Sequence, residues 1–67
     1  MTVVVNGATR ELPDGATVSQ LVEAMRLLRA RGVAVARNGD VVLRSRWGET
    51  SLREGDRIEV LHAVQGG

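Results

Sequence analysis

The stretch "TVVVNGATREL" (Thr2–Leu12) has the pattern of a β-hairpin, and it sets the order of the elements that follow. Two β-prone runs flank Asn6-Gly7, the dipeptide that best tolerates the positive φ angles of a tight type I′ turn. Alternation along the first run places Val3 and Val5 on one face. The chain is therefore predicted to begin with two antiparallel strands that have one apolar face to cover.

A single helix is predicted after this hairpin. Thr17 and Gln20 have the spacing of a capping box, in which each side chain bonds to the backbone N–H of the other residue. Apolar residues then recur at the spacing of one buried helical face, at Val18, Leu21, Val22, Met25 and Leu28. We expect the helix to end at Gly32. Its last turns would then carry three cations that suit the helix dipole, namely Arg26, Arg29 and Arg31.

The stretch "VAVARNGDVVL" (residues 33–43) predicts a second pair of strands around its own Asn-Gly dipeptide. Small side chains suit a face pressed under a helix, and Arg37 suits an open face, so we expect Ala34 and Ala36 to face the helix and Val33 and Val35 to lie with Arg37 on the open face of the sheet. The opposite register stays open at this point, because alternation does not say which face is covered.

The remaining sequence predicts an irregular connection over residues 44–56 and a last strand over residues 57–64. We expect Leu52 to enter the core and Trp47 to lie partly buried over the connection, with its indole N–H bonded to a partner. In the last strand, Leu61 and Ala63 lie on one face.

The element order β-β-α-β-β-β predicts an α+β roll of two layers, a mixed sheet of four to five strands with one helix packed across it. The first and last strands can lie side by side and parallel in the middle of the sheet, because the helix supplies the long connection that a parallel pair needs.

Composition narrows the class of function. The chain has 67 residues, which is one domain with a small core and little room for a catalytic cavity. It has no cysteine and one histidine, so thiol chemistry and a metal site are not expected. Nine basic residues face eight acidic ones without a basic stripe, which disfavours nucleic-acid binding. Neither a membrane span nor a signal peptide is predicted, so we expect a cytoplasmic protein.

Four motifs, taken in order, resemble one known family: "VNG" near the start, "VAVARNGDVVLRSRW", "LREGDRIEV", and the terminal "GG". Together they are similar to the ThiS-type sulfur carrier proteins of thiamine biosynthesis. The resemblance covers essentially the whole chain. It implies a ubiquitin-like β-grasp domain over residues 1–64 and a flexible Gly-Gly tail over residues 65–67.

The resemblance also implies a function, which is that of a protein cosubstrate and not of an enzyme. An adenylating enzyme of the ThiF type would use ATP and Mg²⁺ to activate the Gly67 carboxylate. A cysteine desulfurase would supply sulfur to form a C-terminal thiocarboxylate. A thiazole synthase of the ThiG type would then take that sulfur for thiazole formation. The carrier itself would bind no cofactor and would be a monomer when alone.

Two groups of site residues follow from this resemblance and from the predicted faces. Gly66 and Gln65 would pass with Gly67 through the narrow channel of a partner, since glycine has no Cβ to clash there. A partner would dock on an exposed apolar patch of the sheet, which we expect to contain Val33, Val35, Leu61 and Ala63.

Other functions within and beyond the carrier class stay open from the sequence. The molybdopterin-synthase small subunit shares the fold and the tail, and carriers for tRNA thiolation or cysteine synthesis are further alternatives. A binding or regulatory β-grasp module without a carrier role belongs to another class. A conjugating ubiquitin-like modifier is the last alternative.

Overall fold

The computed structural model of the chain describes residues 1–63, which form a five-stranded sheet covered on one face. The elements are β1 Thr2–Val5, β2 Ala8–Glu11, α1 Val18–Ala24, β3 Val33–Arg37, β4 Asp40–Val42, a 3₁₀ helix Arg44–Glu49, and β5 Arg57–His62. The strand order is β2-β1-β5-β3-β4, with β1 and β5 parallel and all other neighbours antiparallel. The predicted mixed sheet with a central parallel pair is confirmed. The predictions for residues 64–67 lie outside the described residues.

Both predicted Asn-Gly turns are present. Asn6 and Gly7 have φ angles of 51° and 84°, and Asn38 and Gly39 have φ angles of 51° and 88°. These positive values at both central positions are those of a type I′ turn, which matches the twist of the flanking strands.

The two turn asparagines also bind the last strand. Asn6 accepts from the Val60 backbone N–H at 2.9 Å and donates to the Val60 carbonyl at 3.1 Å. Asn38 accepts from the Arg57 backbone N–H at 2.9 Å and donates to the Asp56 carboxylate at 3.1 Å. Each turn is therefore attached by its side chain to the start or the middle of β5.

The core lies between the sheet and α1 and is almost entirely aliphatic. Its buried residues are Val3, Val5, Leu12, Ala16, Val18, Leu21, Val22, Val35, Trp47, Leu52, Ile58 and Val60. The predictions for Leu52 and Trp47 are confirmed, since both are 3% exposed, and the Trp47 indole N–H donates to the Val42 carbonyl at 2.9 Å. No polar or charged residue of the described chain is buried.

The start of α1 agrees with the sequence and its end does not. Thr17 and Gln20 form the predicted capping box. The helix ends at Ala24, well before Gly32, with Arg26 at a φ of 62°. The Leu27 N–H bonds to the Val22 carbonyl at 3.0 Å, one of the two bonds of a Schellman motif.

The apolar spacing of the sequence continues past this end and explains the wrong prediction. Met25 and Leu28 pack against the core, but they reach it from the helix end and from an irregular connection, not from further helical turns. Arg29 and Arg31 consequently lie beyond the helix, in the connection that leads to β3.

The predicted register of β3 is also wrong. Val35 is 1% exposed and lies opposite Val60 beneath the helix, while Val33 is half-buried and packs against the core. Ala34 is exposed. Arg37 was expected on the open face, yet it pairs with buried Ile58. An arginine is tolerated there because it is the last residue of β3, and its guanidinium donates to the Ser51 carbonyl at 3.0 Å.

The C-terminal end of β5 is held against the start of β3. The Ala63 N–H donates to the Gly32 carbonyl at 3.0 Å. Gly32 has a φ of 71°, and a Cβ added there would lie 3.2 Å from the Ala63 Cβ. Glycine is therefore required both by the backbone angle and by the close approach of the two segments.

We predict that Asn6→Asp lowers the free energy of unfolding by about 1–3 kcal/mol, because the carboxylate cannot donate to the Val60 carbonyl. Urea denaturation measures the change. Ser45→Asp is the control, since it adds the same charge at an exposed position and is expected to change stability by less than about 0.5 kcal/mol. Equal stability of Asn6→Asp and the wild type would show that the asparagine does not hold β5.

We predict that Gly32→Ala lowers stability by about 1–2 kcal/mol from backbone strain alone, and by more because of the contact with Ala63. The Ala63 amide should also exchange its hydrogen faster, as measured by NMR. Gly15→Ala is the matched control: Gly15 has a φ of 82° but no atom within 4 Å of an added Cβ. Identical losses in the two variants, with unchanged exchange at Ala63, would contradict the close packing.

Candidate functional site

The predicted carrier tail lies outside the described residues, and this applies to Gln65, Gly66 and Gly67. The structure instead describes the point from which the tail begins. β5 is a central strand, paired with β3 as far as His62, and Ala63 is bonded to Gly32 directly after it. The described chain thus ends at a position that the sheet holds firmly.

On its other side, β5 extends beyond β1. The backbone ladder between the two strands ends where the Asn6 N–H donates to the Ile58 carbonyl at 2.9 Å, and the Asn6 side chain adds one further step at Val60. Within residues 1–63, Leu61 and His62 have no partner on that side, because β1 has already turned towards β2. The end of β5 therefore projects past the first hairpin.

An exposed apolar surface lies on the uncovered face of the sheet near this end. We define the open-face patch as Ala34, Ala36, Val41 and Leu61. Leu61 and Val41 are 65% and 74% exposed, and the two alanines lie between them on β3, where Ala34 pairs with Leu61 and Ala36 pairs with Val41. Glu59, which is exposed and pairs with Ala36, borders these residues, and another apolar surface can be buried against them.

The observed exposures differ from those of the predicted docking surface at two of its four residues. Leu61 and Ala63 are exposed, as the sequence predicted. Val35 is buried and Val33 is half-buried under the helix, so neither belongs to an open face. Sequence reasoning missed Ala34, Ala36 and Val41. The alternation that links them was visible in the sequence, but the register that exposes them was not.

The described part of the chain does not assemble a metal site. Among residues 1–63, no three His, Cys, Asp or Glu side chains come together as metal ligands. A polar cleft includes Arg37, Ser51, Arg53 and Asp56, but its groups bond to each other: the Arg53 N–H donates to the Asp56 carboxylate at 2.8 Å. It lies at the start of β5, away from Ala63. No helix within residues 1–63 is long and apolar enough to cross a membrane.

Comparison with known proteins adds three similarities. The crystal structure of a thiamine biosynthesis protein (ThiS) from Geobacter metallireducens superposes with a TM-score of 0.82 at 30% identity, covering all of both chains. The solution structure of a thiamine biosynthesis protein from the same organism gives a TM-score of 0.82 at 32% identity, covering all of this chain and 88% of the other.

The other similar protein is a thiazole synthase from Paramagnetospirillum magneticum, which is 31% identical over 67 residues. This chain is matched completely but spans only 20% of the length of that protein. The ThiS family model matches residues 3–67, which include the part of the sequence that the structure does not describe. The match to nearly the whole sequence, together with the shared β-grasp architecture, shows that the chain belongs to the ThiS family.

Proposed function

We propose that this protein is a sulfur carrier of thiamine biosynthesis, and that the carboxylate of Gly67 is the group that carries the sulfur. The main support for this proposal is that the ThiS family model matches residues 3–67, which include the terminal glycines. Members of this family are small sulfur carriers and not catalysts. The similar proteins from Geobacter metallireducens, which are named for thiamine biosynthesis, support the same pathway.

The chemistry of the carrier has to be supplied by partners. A carboxylate is a poor electrophile, and this chain has no phosphate-binding loop with which to bind ATP. An adenylating enzyme of the ThiF type, using ATP and Mg²⁺, would join AMP to the carboxylate and release pyrophosphate. The terminal sulfur of a desulfurase persulfide would then attack the carbonyl carbon and displace AMP. A second thiol of a partner protein would then attack the desulfurase sulfur of the resulting S–S bond. This attack would form a disulfide with the desulfurase and release the thiocarboxylate.

The acceptor of the sulfur is proposed to be a thiazole synthase. A protein of that name contains a region similar to the whole of this chain, which links the carrier domain with thiazole formation in one polypeptide. The physical requirement is that Gly67 reach the active sites of two different partners. Gly66 and Gln65 serve as the tether, and glycine lets the backbone pass where a side chain would clash.

The open-face patch is proposed as the docking surface for these partners. Leu61 of the patch lies on β5, two positions before Ala63, so a partner that covers Leu61 also lies next to the start of the proposed tail. An apolar surface on a rigid sheet can be recognised by more than one partner, because its burial does not require a specific set of hydrogen bonds.

We predict that the chain, expressed with its adenylating enzyme and desulfurase, gains the mass difference between sulfur and oxygen in intact-protein mass spectrometry. Gly66→Ala should slow this conversion by roughly tenfold to a hundredfold, since a small displacement of the reacting carbon is costly. Gly48→Ala is the matched control, because no atom lies within 4 Å of a Cβ added there. A wild-type chain whose mass never changes would refute the carrier function.

We predict that Leu61→Ser lowers kcat/KM for adenylation by about tenfold, because a buried leucine contributes roughly 1.5–3 kcal/mol. Its effect on folding should be small, since Leu61 is 65% exposed. Leu43→Ser is the control: Leu43 has the same exposed fraction but belongs to no strand. Unchanged kcat/KM in Leu61→Ser would exclude the open-face patch as the docking surface.

A further inference from the structure

Five of the nine basic residues gather around one short connection. Residues 25–32, which join α1 to β3, carry three arginines of their own, and arginines from two other elements lie against them or against the end of α1. We define the basic collar as Arg10, Arg26, Arg29, Arg31 and Arg44. No acidic residue lies within the connection, and Glu23 is the nearest one along the chain.

The two distant arginines are bound to backbone carbonyls, Arg44 to those of the connection and Arg10 to that of Ala24, the last residue of α1. Arg44 donates to the Leu28 carbonyl at 2.5 Å and to the Ala30 carbonyl at 3.3 Å, and its guanidinium lies 4.9 Å from the centre of the Trp47 ring. Arg10 donates to the Ala24 carbonyl at 3.4 Å. These bonds hold arginines of β2 and of the 3₁₀ helix near the arginines of the connection.

The charge of the collar is only partly offset within the described chain, by Glu23, which lines one surface pocket with Arg26 and Arg29. Arg26, Arg29 and Arg31 are exposed, and none of them forms an ion pair with a side chain of residues 1–63. Elsewhere the charges are mixed, as where Arg46 pairs with Glu49 at 3.5 Å. The net charge of the whole chain is only +1, so the excess of positive charge is local.

One end of the collar lies beside the point where the described chain ends, whereas Arg10 pairs with Val3, level with the start of β5. Arg31, the last arginine of the connection, precedes Gly32, whose carbonyl binds the Ala63 N–H and whose backbone approaches the Ala63 Cβ. The last four residues, Val64 to Gly67, have no charged side chain. The open-face patch is apolar as well. Apart from the terminal carboxylate, neither of these features carries a charge that could attract a partner over a distance of many ångströms, whereas a cluster of guanidinium groups does.

We propose that the basic collar docks on an acidic rim around the active-site entrance of the adenylating enzyme and steers the tail into it. This inference rests on the proposed carrier function. A protein partner fits better than a nucleic acid, because the described chain exposes no Phe, Tyr or Trp ring that could stack on bases, its one tryptophan being buried. Clustered charges at a surface raise the rate of encounter more than they strengthen the final complex.

The test is the adenylation rate of an Arg29→Glu, Arg31→Glu double variant with the adenylating enzyme encoded in the same genome. We expect kcat/KM to fall by about tenfold at low salt with kcat little changed, and the difference from the wild type to shrink as salt screens the charges. The Arg29→Gln, Arg31→Gln variant should give a smaller loss. Arg53→Glu, an exposed arginine near the start of β5, is the matched control and should retain the wild-type rate.

Circular dichroism confirms that each variant is folded, and the neutral glutamine variant serves if the glutamate variant is not. Equal rates for the collar variants and Arg53→Glu would overturn the proposal while adenylation of the wild type still supports the carrier function. A loss of kcat/KM that does not depend on salt would also overturn the proposal. Displacement of the enzyme by short duplex DNA would overturn it as well, because the collar would then be assigned to nucleic-acid binding. A wild-type chain that is never adenylated would refute the carrier function and this inference with it.

Discussion

The parallel pairing of β1 with β5 is the contact on which the rest of the structure depends. Two strands that are distant in the sequence meet in the middle of the sheet, with direct pairs only at Val4–Arg57 and Val5–Ile58. Such a short ladder is a weak connection for a central pair. The Asn6 side chain extends it by binding both backbone groups of Val60, after the backbone of β1 has turned away. A residue required by the turn is thus also a clamp between the two halves of the fold.

This pairing determines what the end of β5 can present. The strand is bound at its start through Asn38 and at its end through the contact of Ala63 with Gly32, so its C-terminal end has a defined position. Two surfaces meet near that end, the open-face patch on the uncovered side of the sheet and the basic collar beside Gly32. They suit two different tasks, because burial of apolar area contributes to affinity whereas charge mainly raises the rate of encounter.

A small protein whose last strand ends at a fixed position is well suited to be a substrate in reactions that other proteins catalyse. Its buried residues are apolar, and the polar cleft at the start of β5 is occupied by hydrogen bonds between its own groups. Burying aliphatic side chains gives the domain its stability without placing a reactive group in the core. The reactive position proposed here is a backbone terminus, for which the fold needs to provide only a firm starting point and surfaces that partners recognise.

Much of the fold could be predicted from the sequence, because the sequence patterns that determine it are local. The two Asn-Gly turns, the capping box at Thr17 and the buried Leu52 follow from residue types within a few positions of one another. The tertiary structure decided the end of α1, the face of β3 and the basic collar. Met25 and Leu28 kept a helical spacing beyond the helix, and Arg37 resembled a residue of an open face. In each case the outcome depended on contacts with segments that are distant in the sequence, which spacing along a single element does not contain.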